Sequence, residues 1–534
     1  MMISDLNIKV DRDLCITCGV CVERCIMDNL RLFVPPCQAA CPIHMNCQGY
    51  VRLIAQGKEE EAAQEMRKYL PFAGILGRVC HHPCEQVCER NKIGDGAVHI
   101  RALKRYLADR YPEVAGALLP MKRENGKRVA IVGSGPSGLM AAHDLRVSGH
   151  QVAVFDESSE PGGLLRWAIP SFILPTEEVD KAICMLTNMG IEFFTGKRLG
   201  GNLDLKSLEK DYDAILLAIG LGESVSLTIP GIDQEGVLQG LTLLKRVKEN
   251  NPPRLGDSVI VIGGGNSAVD CALTCMRLGA KDVRMVCLED RDNMPAFDWE
   301  LQVAREEGIK LVNGLGPSRI VRRGTGKLSV ETSRCVSLYD DKGVFCPTLE
   351  DEPNKEFEAD SIVIAIGQKL KSNCLPADLL DGTKSIIVDP LTLQSPTHSK
   401  VFFSGAISGA GSVVEAMAQG REAAKSIARF VSGDGMRWGR DFWVENGYLK
   451  EYEAILERAK GGARMILERV PIKKRTLEKE VEMPLTPEQA KQEAERCMSC
   501  GRPAEVNKTC WMCLPCEIEC PQEALQVRLP YQVR

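Results

Sequence analysis

The chain has 534 residues, of which 44% are hydrophobic and 26% are charged, a composition typical of a soluble globular protein with three or four domains. Its net charge of -5 and its aromatic content of 5% argue against nucleic acid as the main partner, because such binding needs a basic surface or stacking platforms. We find no export signal and no run of ~20 apolar residues that would span a bilayer, so we predict a cytoplasmic protein without a membrane span.

Sixteen of the 23 cysteines lie in the first 88 and the last 38 residues. Residues 1–34 predict a strand at 7–10, a cysteine cluster and a second strand at 30–34. The cluster has the spacing of bacterial two-cluster ferredoxins and consists of Cys15, Cys18, Cys21 and Cys25. In a cytoplasmic protein this spacing indicates metal ligands, because thiols there stay reduced. Three such cysteines hold one 4Fe-4S cluster and the fourth serves another, so this segment predicts half of a ferredoxin-like domain.

Residues 35–120 predict a helical domain, because apolar residues recur at spacings of three and four over 50–69 and 98–111. This segment contains six further cysteines, which are Cys37, Cys41, Cys47, Cys80, Cys84 and Cys88. A polar stretch that ends at Asn125-Gly126 predicts the linker to the next domain.

From Arg128 the pattern changes to strand, glycine-rich turn, helix and strand, which is typical of a doubly wound α/β domain. The first turn contains Gly133, Gly135 and Gly138. Such glycines permit a tight turn and bring backbone N–H groups close to a pyrophosphate at the helix N-terminus. The following strand ends at Asp156, whose carboxylate is predicted to accept hydrogen bonds from a ribose hydroxyl group.

A second turn of the same kind, Gly263-Gly-Gly265-Asn-Ser-Ala268, follows another apolar strand. Two such turns predict a flavin domain that is interrupted by a nicotinamide domain, so that hydride passes from nicotinamide to flavin. The predicted boundaries are 127–256 for the first segment of the FAD domain, 257–367 for the NAD(H)-binding domain and 368–430 for the second segment of the FAD domain.

Residues 431–496 predict a charged helical connector, and the last helix begins with Thr486 as its N-cap. Residues 497–534 carry the C-terminal iron–sulfur half, with Cys497, Cys500, Cys510, Cys513, Cys516 and Cys520. The last four repeat the ferredoxin spacing, so we predict that the two ends of the chain form one ferredoxin-like domain. One cluster would use Cys15, Cys18, Cys21 and Cys520, and the other would use Cys25, Cys510, Cys513 and Cys516.

Several motifs in one order resemble the small subunit of glutamate synthase: Gly77-Arg-Val-Cys80, Pro161-Gly-Gly-Leu-Leu, Ile169-Pro170, residues 263–270, Arg277-Leu-Gly-Ala280 and Met294-Pro-Ala296. They also resemble a module of dihydropyrimidine dehydrogenase and the large subunit of the bifurcating ferredoxin-NAD(P) transhydrogenase. The resemblance implies an α/β fold with two interleaved, glutathione-reductase-like Rossmann domains for FAD and NAD(P)H, and an N-terminal α-helical iron–sulfur domain. The predicted ferredoxin-like domain from both termini completes this architecture.

The candidate cofactor-binding residues lie in the two turns and in the loops beside them. They are Gly133, Gly135, Pro136, Ser137, Gly138, Asp156, Glu157, Gly163, Leu164, Ile169, Gly263, Gly265, Asn266, Ser267, Glu289, Gly367, Gly405, Ala406, Ser412 and Val413. Hydride transfer needs no side-chain acid or base, so no catalytic residue is predicted. The family typically has Asp at the position of Ala406 and Arg at that of Ile173, which implies altered flavin contacts here.

The choice between NADH and NADPH depends on the end of the second nucleotide-binding strand. NADPH-using members of the family usually carry an Arg pair where this chain has Leu288-Glu289. A carboxylate repels a 2′-phosphate and accepts hydrogen bonds from a free ribose diol, so Glu289 favours NADH. Arg284, Arg291 and the alanine that ends the turn favour NADPH, so this preference stays open.

The resemblance assigns the remaining eight cysteines to two more clusters. The third would take Cys37, Cys88, Cys497 and Cys500, and the fourth would take Cys41, Cys80, Cys84 and one further ligand. In the family that ligand can be a side-chain oxygen from the helix near 101–105, where this chain has no acid or amide. Cys47 is the favoured replacement and His99 a weaker one, although Cys47 is also compatible with simple burial.

Together these features predict an electron-transfer oxidoreductase subunit that uses NADH, FAD and about four 4Fe-4S clusters to exchange electrons with a redox partner in a hetero-oligomeric complex. Two alternatives remain, an NADPH-dependent glutamate synthase small subunit and a non-catalytic iron–sulfur adaptor. The isolated cysteines are predicted to pack in the core and are Cys184, Cys271, Cys275, Cys287, Cys335, Cys346 and Cys374.

Overall fold

The computed structural model describes residues 7–112, 120–324, 326–353, 355–405, 407, 409, 411–438, 440, 459, 462–505 and 510–528. Two parallel five-stranded sheets form its centre. The first has the strand order Val401–Phe403, Ala214–Leu217, Arg128–Val132, Gln151–Phe155 and Glu192–Phe194. The second has the order Lys310–Val312, Asp282–Val286, Ser258–Ile262, Ser361–Ile364 and Val237–Gln239. Their central strands are continuous buried apolar runs, as parallel sheets require.

The helices of this α/β region connect the strands. Their bounds are Pro136–Val147, Leu164–Trp167, Thr176–Asn188, Leu205–Asp211, Gly240–Lys248, Asn266–Arg277, Asp298–Glu306 and Val413–Ser432. The last of these packs along Pro136–Val147, and a Cβ at Gly420 would lie only 2.2 Å from the carbonyl oxygen of Ser137. Glycine at this position therefore allows the two helix backbones to approach each other closely.

The strand Val237–Gln239 lies in the second sheet, where it pairs with Ser361–Ile364. The boundary predicted at residue 257 is therefore too late for this sheet. The strand is short, half-buried and at the sheet edge, so it lacks the continuous apolar run that marks a buried parallel strand.

An antiparallel unit, which the sequence did not predict, consists of Leu315–Arg322, Leu328–Tyr339, Phe345–Leu349 and Lys355–Ala359. Glu223–Ser224 pairs with Gln368–Lys369 where the chain passes between the two sheets.

The N-terminal domain is helical. Its helices are Pro36–Ala39, Cys47–Ala55, Glu59–Arg67, Ala73–Val79, Pro83–Gln86 and Ile100–Arg110, with a 3-10 turn at Glu89–Ile93. The helical pattern predicted over 50–69 forms two helices, because Gly57 takes a left-handed conformation (φ 76°) between them.

The two ends of the chain meet. Ile8–Val10 pairs antiparallel with Leu525–Val527, and Leu30–Phe33 pairs antiparallel with Arg502–Glu505. The short helices Val20–Glu23 and Pro515–Ile518 pack against each other. Equivalent positions in the two halves share left-handed φ values. Thr17 has φ 54° and its equivalent Met512 has φ 57°. The other two pairs are Gly19 (83°) with Leu514 (73°), and Asp28 (48°) with Glu523 (50°). The cysteine repeat is therefore also a structural repeat.

Residues 439, 441–458, 460 and 461 of the predicted connector lie outside the described residues. Residues 462–486 differ from the helical prediction, because most of them have no regular secondary structure. Their helical content is one 3-10 turn, Ile472–Lys474. The segment carries Glu480, which pairs with Arg78 and Arg105, both at 2.9 Å. The charges that made the segment resemble an exposed helix thus form ion pairs with the helical domain. The following helix, Pro487–Glu495, begins as predicted, with Thr486 as its N-cap.

Within the described segments, we find no helix with the length and apolar character needed to cross a membrane.

The isolated cysteines differ in burial. Cys271, Cys275 and Cys287 are buried as predicted, Cys335 and Cys374 are half-buried, and Cys184 and Cys346 are exposed, so core packing is wrong for the last two.

Candidate functional site

The first glycine-rich turn joins the strand Arg128–Val132 to the helix Pro136–Val147. Gly133 has φ 107°, and a Cβ there would lie 2.2 Å from the carbonyl oxygen of Ala218. Only glycine fits this conformation without strain. A Cβ at Gly135 would meet no atom within 4 Å, so there is open space at the N-terminus of the helix. Backbone N–H groups and the helix dipole make such a space suitable for a phosphate.

Asp156 holds the shape of this turn. Its Oδ2 accepts hydrogen bonds from the backbone N–H of Ser134 at 2.8 Å and from the Ser134 hydroxyl at 2.5 Å, and its Oδ1 accepts one from the backbone N–H of Ser158. The Ser134 Oγ in turn accepts a hydrogen bond from the backbone N–H of Gly162 at 2.9 Å. The carboxylate therefore connects the Pro161-Gly-Gly-Leu-Leu loop to the turn, a structural role that its predicted ribose contact did not include.

Two later segments lie near this turn in the first domain. Gly163 lies so close to Gly135 that its Cβ would be 2.8 Å from the Gly135 Cα. The hydroxyl oxygens of Ser137 and Ser404 are 2.6 Å apart, and the backbone N–H of Gly405 donates to the Gln419 side chain. The predicted residues Ser412 and Val413 form the N-terminus of the helix Val413–Ser432, which Ser412 caps. Ala406 lies outside the described residues.

The second turn brings Glu289 to the place that sequence analysis predicted. A Cβ at Gly264 would lie 2.6 Å from the Glu289 Oε2, so the carboxylate lies directly against the turn. The Glu289 carbonyl accepts hydrogen bonds from the backbone N–H of Gly314 at 3.0 Å and the Asn313 side chain at 3.2 Å, which hold this loop in position. The backbone N–H of Ala296 donates to the Gly264 carbonyl, so the Met294-Pro-Ala296 motif closes on the turn as well.

Arg284 does not offset the charge of Glu289. It forms an ion pair with Asp282 at 2.7 Å, and Asp282 begins the strand Asp282–Val286, whereas Glu289 follows the other end of that strand. Arg284 is thus engaged by another carboxylate, and a contribution of Arg284 to binding of a 2′-phosphate stays a prediction.

The eight cysteines at the two chain ends form two interleaved groups. Burial, followed by the charges of Cys15, Cys18 and Cys520, raises the pKa of the Cys21 thiol to about 12. The first group, which lines a space of about 360 Å³ that includes its opening to solvent, is Cys15, Cys18, Cys21 and Cys520. Burial, followed by the charges of Cys25, Cys510 and Cys513, raises the pKa of the Cys516 thiol to about 11. The second group is therefore Cys25, Cys510, Cys513 and Cys516.

A third group lies between the helical domain and the C-terminal segment. A space of about 430 Å³, including its opening, is lined by Cys37, Cys47, Cys88, Cys497 and Cys500. Burial, followed by the charges of Cys497 and Cys88, raises the pKa of the Cys500 thiol. Cys497 and Cys500 therefore lie beside Cys37 and Cys88 of the N-terminal domain, the arrangement that the family resemblance implied.

The fourth group surrounds Lys104, whose side chain is buried. Burial lowers the pKa of this amine, but the charges of Cys80, Cys84 and Cys41 raise it above its ordinary value. Cys47 contacts Cys41 and Cys84 of this group and also Cys37 of the third group. The His99 side chain has another hydrogen-bond partner, because its Nε2 lies 2.8 Å from the Met465 carbonyl oxygen. The geometry favours Cys47 over His99 as the additional ligand.

Across the described residues, no three His, Cys, Asp or Glu side chains are arranged to hold a single metal ion. Thiols instead line larger spaces, one beside Cys15, Cys18, Cys21 and Cys520 and one beside Cys37, Cys47, Cys88, Cys497 and Cys500. This donor set fits 4Fe-4S clusters, each of which takes four cysteines.

A stack of aromatic side chains, which sequence analysis missed, joins the Cys80 loop to the second nucleotide domain. The ring centroids of His81 and Phe297 are 5.6 Å apart, those of Phe297 and Trp299 are 4.5 Å apart, and those of His82 and Trp299 are 4.3 Å apart. Burial lowers the pKa of His82 to about 2, so this ring is neutral at physiological pH. The sequence held one indication of this contact, because His81 and His82 directly follow Cys80, and Phe297 and Trp299 closely follow the Met294-Pro-Ala296 motif.

Asp270 and Glu300 form a carboxyl pair in the same domain. Burial raises the pKa of Glu300 from 4.5 to about 7, and burial together with the charge of Glu300 raises the pKa of Asp270 well above its ordinary value. Because the folded-state pKa of Glu300 lies above the unfolded value, its stabilising contribution is complete below pH 4.5 and is lost as the pH rises through about 7.

Glu300→Gln should therefore raise the unfolding temperature of the protein at pH 8 and leave it nearly unchanged at pH 4.5. The gain at pH 8 corresponds to at most about 3 kcal/mol, since one pKa unit is about 1.4 kcal/mol. Differential scanning fluorimetry at both values measures this effect. Asp298→Asn, at an exposed position of the same helix, is the control. An equal gain at both pH values would contradict the prediction.

Comparison with known proteins identifies the family. The profile described as pyridine nucleotide-disulphide oxidoreductase matches residues 127–420, and that described as dihydropyrimidine dehydrogenase domain II, 4Fe-4S cluster, matches residues 20–115. The NADPH glutamate synthase small chain of Escherichia coli is 31% identical over 456 residues, which cover 80% of this chain and 92% of that protein. This chain belongs to the glutamate synthase small-subunit family. It is an oxidoreductase with an FAD and NAD(P) binding region and a 4Fe-4S domain.

Two other relatives are longer than this chain. The NADP(+)-dependent formate dehydrogenase subunit beta of Moorella thermoacetica is 32% identical over 504 residues, which cover 88% of this chain and 70% of that protein. The NADPH-Fe(3+) oxidoreductase subunit beta of Geobacter sulfurreducens is 32% identical over 364 residues, 66% of this chain and 54% of that protein. The structure of Mycobacterium tuberculosis FprA in complex with NADPH aligns with a TM-score of 0.51 at 17% identity, over 58% of this chain and 85% of that one, which shows a shared fold.

Proposed function

We propose that this family member transfers electrons between NADH and a partner redox protein through FAD and four 4Fe-4S clusters. The observation that carries the proposal is the arrangement of sixteen thiols in four groups, three of which combine residues from opposite ends of the chain. A subunit that only oxidised a nucleotide at its flavin would not need so many electron carriers. The relatives named as subunits of larger enzymes support a partner protein.

The residues of the two turns would position the cofactors. Backbone N–H groups beside Gly133 and Gly135 would bind the FAD pyrophosphate, and the loop held by Asp156 would limit its movement. When bound, FAD would accept a hydride from the nicotinamide and release electrons singly. Cysteine thiolates would hold the clusters. All four cysteines of the fourth group are buried, whereas Cys513 of the second group is exposed. The two chain ends would form the ferredoxin-like two-cluster domain.

The proposal includes a preference for NADH. Glu289 lies against Gly264, where it would meet the ribose of a bound nucleotide. Arg284, the first candidate for a compensating charge, is already paired with Asp282. Relatives are named for NADP or NADPH, so the preference rests on this one carboxylate.

Anaerobic addition of NADH to the purified holoprotein tests the proposal. We expect near-stoichiometric bleaching of the flavin band, followed by loss of cluster absorbance. If NADH leaves both spectra unchanged while dithionite reduces them, the chain is better explained as a non-catalytic adaptor. The glutamate synthase alternative makes a separate prediction, which is glutamate formation after mixing with a glutamate synthase large subunit.

Asp156→Ala should reduce FAD retention roughly tenfold or more, because a buried carboxylate accepts three hydrogen bonds that hold the turn and its neighbouring loop. The ratio of flavin to protein absorbance after gel filtration measures this loss. Asp211→Ala is the matched control, since Asp211 is an exposed aspartate at the end of the helix Leu205–Asp211 in the same domain, outside the predicted cofactor site. Equal FAD content in both variants would contradict the structural role of Asp156.

A further inference from the structure

The two halves of the ferredoxin-like unit have matching backbones but different surroundings. Ile16 follows Cys15, is only 5% exposed and belongs to the core that includes the helical domain. Trp511 follows Cys510 at the equivalent position and is 75% exposed. The cysteines differ in the same way, because Cys513 is exposed and its equivalent Cys18 is half-buried.

The helical domain covers the first half through specific contacts. The Asn46 side chain donates to the Ile16 carbonyl at 2.9 Å and accepts a hydrogen bond from the Thr17 hydroxyl at 3.0 Å. The Arg52 guanidinium donates to the Asp13 carbonyl at 2.8 Å. The loop around the first cysteine group is thus buried by another domain of the same chain.

The second cysteine group is surrounded by exposed apolar side chains. Ile26, Trp511 and Ile518 are 71%, 75% and 74% exposed, and each lies within two residues of a cysteine of this group. The equivalent positions around the first group are Pro521, the buried Ile16 and the charged Glu23. Large exposed apolar side chains in one place mark an interaction site, and Trp in particular contributes strongly to protein interfaces.

We infer that the face formed by Ile26, Trp511, Cys513 and Ile518 is the docking surface for the partner, a protein with its own one-electron redox centre. The inference rests on the proposed function, since it requires a cluster in the Cys510 group. Cys513, a cysteine of that group, is exposed at this face, so a protein that covers the face would lie beside a cluster ligand. One electron would cross the interface in each encounter, so that this chain is oxidised and the partner reduced by one electron.

The two described ion pairs nearest this face contribute little to the choice of partner. Arg24 pairs with Glu519 at 2.7 Å, and Arg31 pairs with Asp28 at 2.7 Å. All four side chains are largely exposed, and such pairs contribute about 0–1 kcal/mol. The partner is therefore expected to present an apolar patch around its redox centre, in the way that the helical domain covers Ile16.

Electron transfer to cytochrome c, used as a one-electron protein probe, tests the docking surface. The holoprotein is reduced with dithionite, freed of excess reductant and mixed anaerobically with oxidised cytochrome c in a stopped-flow instrument. We expect Trp511→Ser to lower the second-order rate constant roughly tenfold, a typical loss for truncation of a central interface Trp. Ile26→Ser should give a smaller decrease. Trp438→Ser is the matched control, since Trp438 is 83% exposed and distant in sequence.

A small oxidant, hexaammineruthenium(III), should react at the same rate with every variant, because it needs no docking surface. The inference is overturned if Trp511→Ser and Trp438→Ser react equally with cytochrome c, or if the ruthenium rate falls in parallel. It is also overturned if the wild-type chain is a dimer that Trp511→Ser dissociates, since the face would then bind a second copy. Dithionite supplies the electrons in this experiment, so the docking surface is tested even if the chain does not oxidise NADH.

Discussion

Deletion of residues 497–534 is expected to lower the iron content from about sixteen to about four atoms per chain, because each 4Fe-4S cluster needs four cysteines. The deletion removes Cys520 from the first group, three members of the second group, and Cys497 and Cys500 from the third. Only the group of Cys41, Cys47, Cys80 and Cys84 keeps all its members. Colorimetric iron analysis and electron paramagnetic resonance measure the loss.

Single substitutions separate cluster loss from misfolding of the truncated chain. Cys520→Ser should remove the cluster of the Cys15 group and preserve the one that Cys510 binds, although Cys510 is the nearer residue in sequence. Cys25→Ser should have the opposite effect. Cys346→Ser, at an exposed cysteine outside all four groups, is the control. If Cys520→Ser affects the Cys510 cluster alone, each chain end forms its own clusters and the interleaved arrangement is wrong.

Glu289→Arg is expected to shift the ratio of kcat/KM for NADH over NADPH by roughly 100-fold toward NADPH. The substitution removes the repulsion between a carboxylate and a 2′-phosphate and adds a charge-assisted hydrogen bond, an effect of about 3 kcal/mol in total. The Glu289 carboxylate is the group that lies against Gly264, so the new guanidinium would lie beside the ribose. Steady-state reduction of a viologen dye with each nucleotide measures the ratio.

Asp292→Arg is the control for this switch, because it introduces the same charge change at an exposed position three residues away. It should change the ratio only slightly, since a surface charge in water interacts weakly over such a distance. A shift in Asp292→Arg as large as that in Glu289→Arg would mean that net charge, and not the position of Glu289, decides the preference.

Much of the α/β region was predictable from local patterns. The strands and turns around Gly133 and Gly263 have strong sequence signals, because close backbone approach demands glycine and buried parallel strands demand apolar runs. The edge strand Val237–Gln239 was missed, since an edge position tolerates polar residues. Residues 462–486 of the predicted helical connector form no α-helix, and charges there such as Glu480 are satisfied by ion pairs with another domain.

The amino-acid sequence by itself determined the chemistry of this protein. Cysteine spacing indicated the two ferredoxin-like groups of thiols, and the glycine turns indicated two nucleotide sites, because both signals depend on residues close together in the chain. Only the tertiary structure decided which surfaces are covered. Ile16 and Trp511 occupy equivalent positions in the repeat, yet one is buried by the helical domain and the other is exposed. Burial depends on contacts between distant segments, which local spacing does not encode.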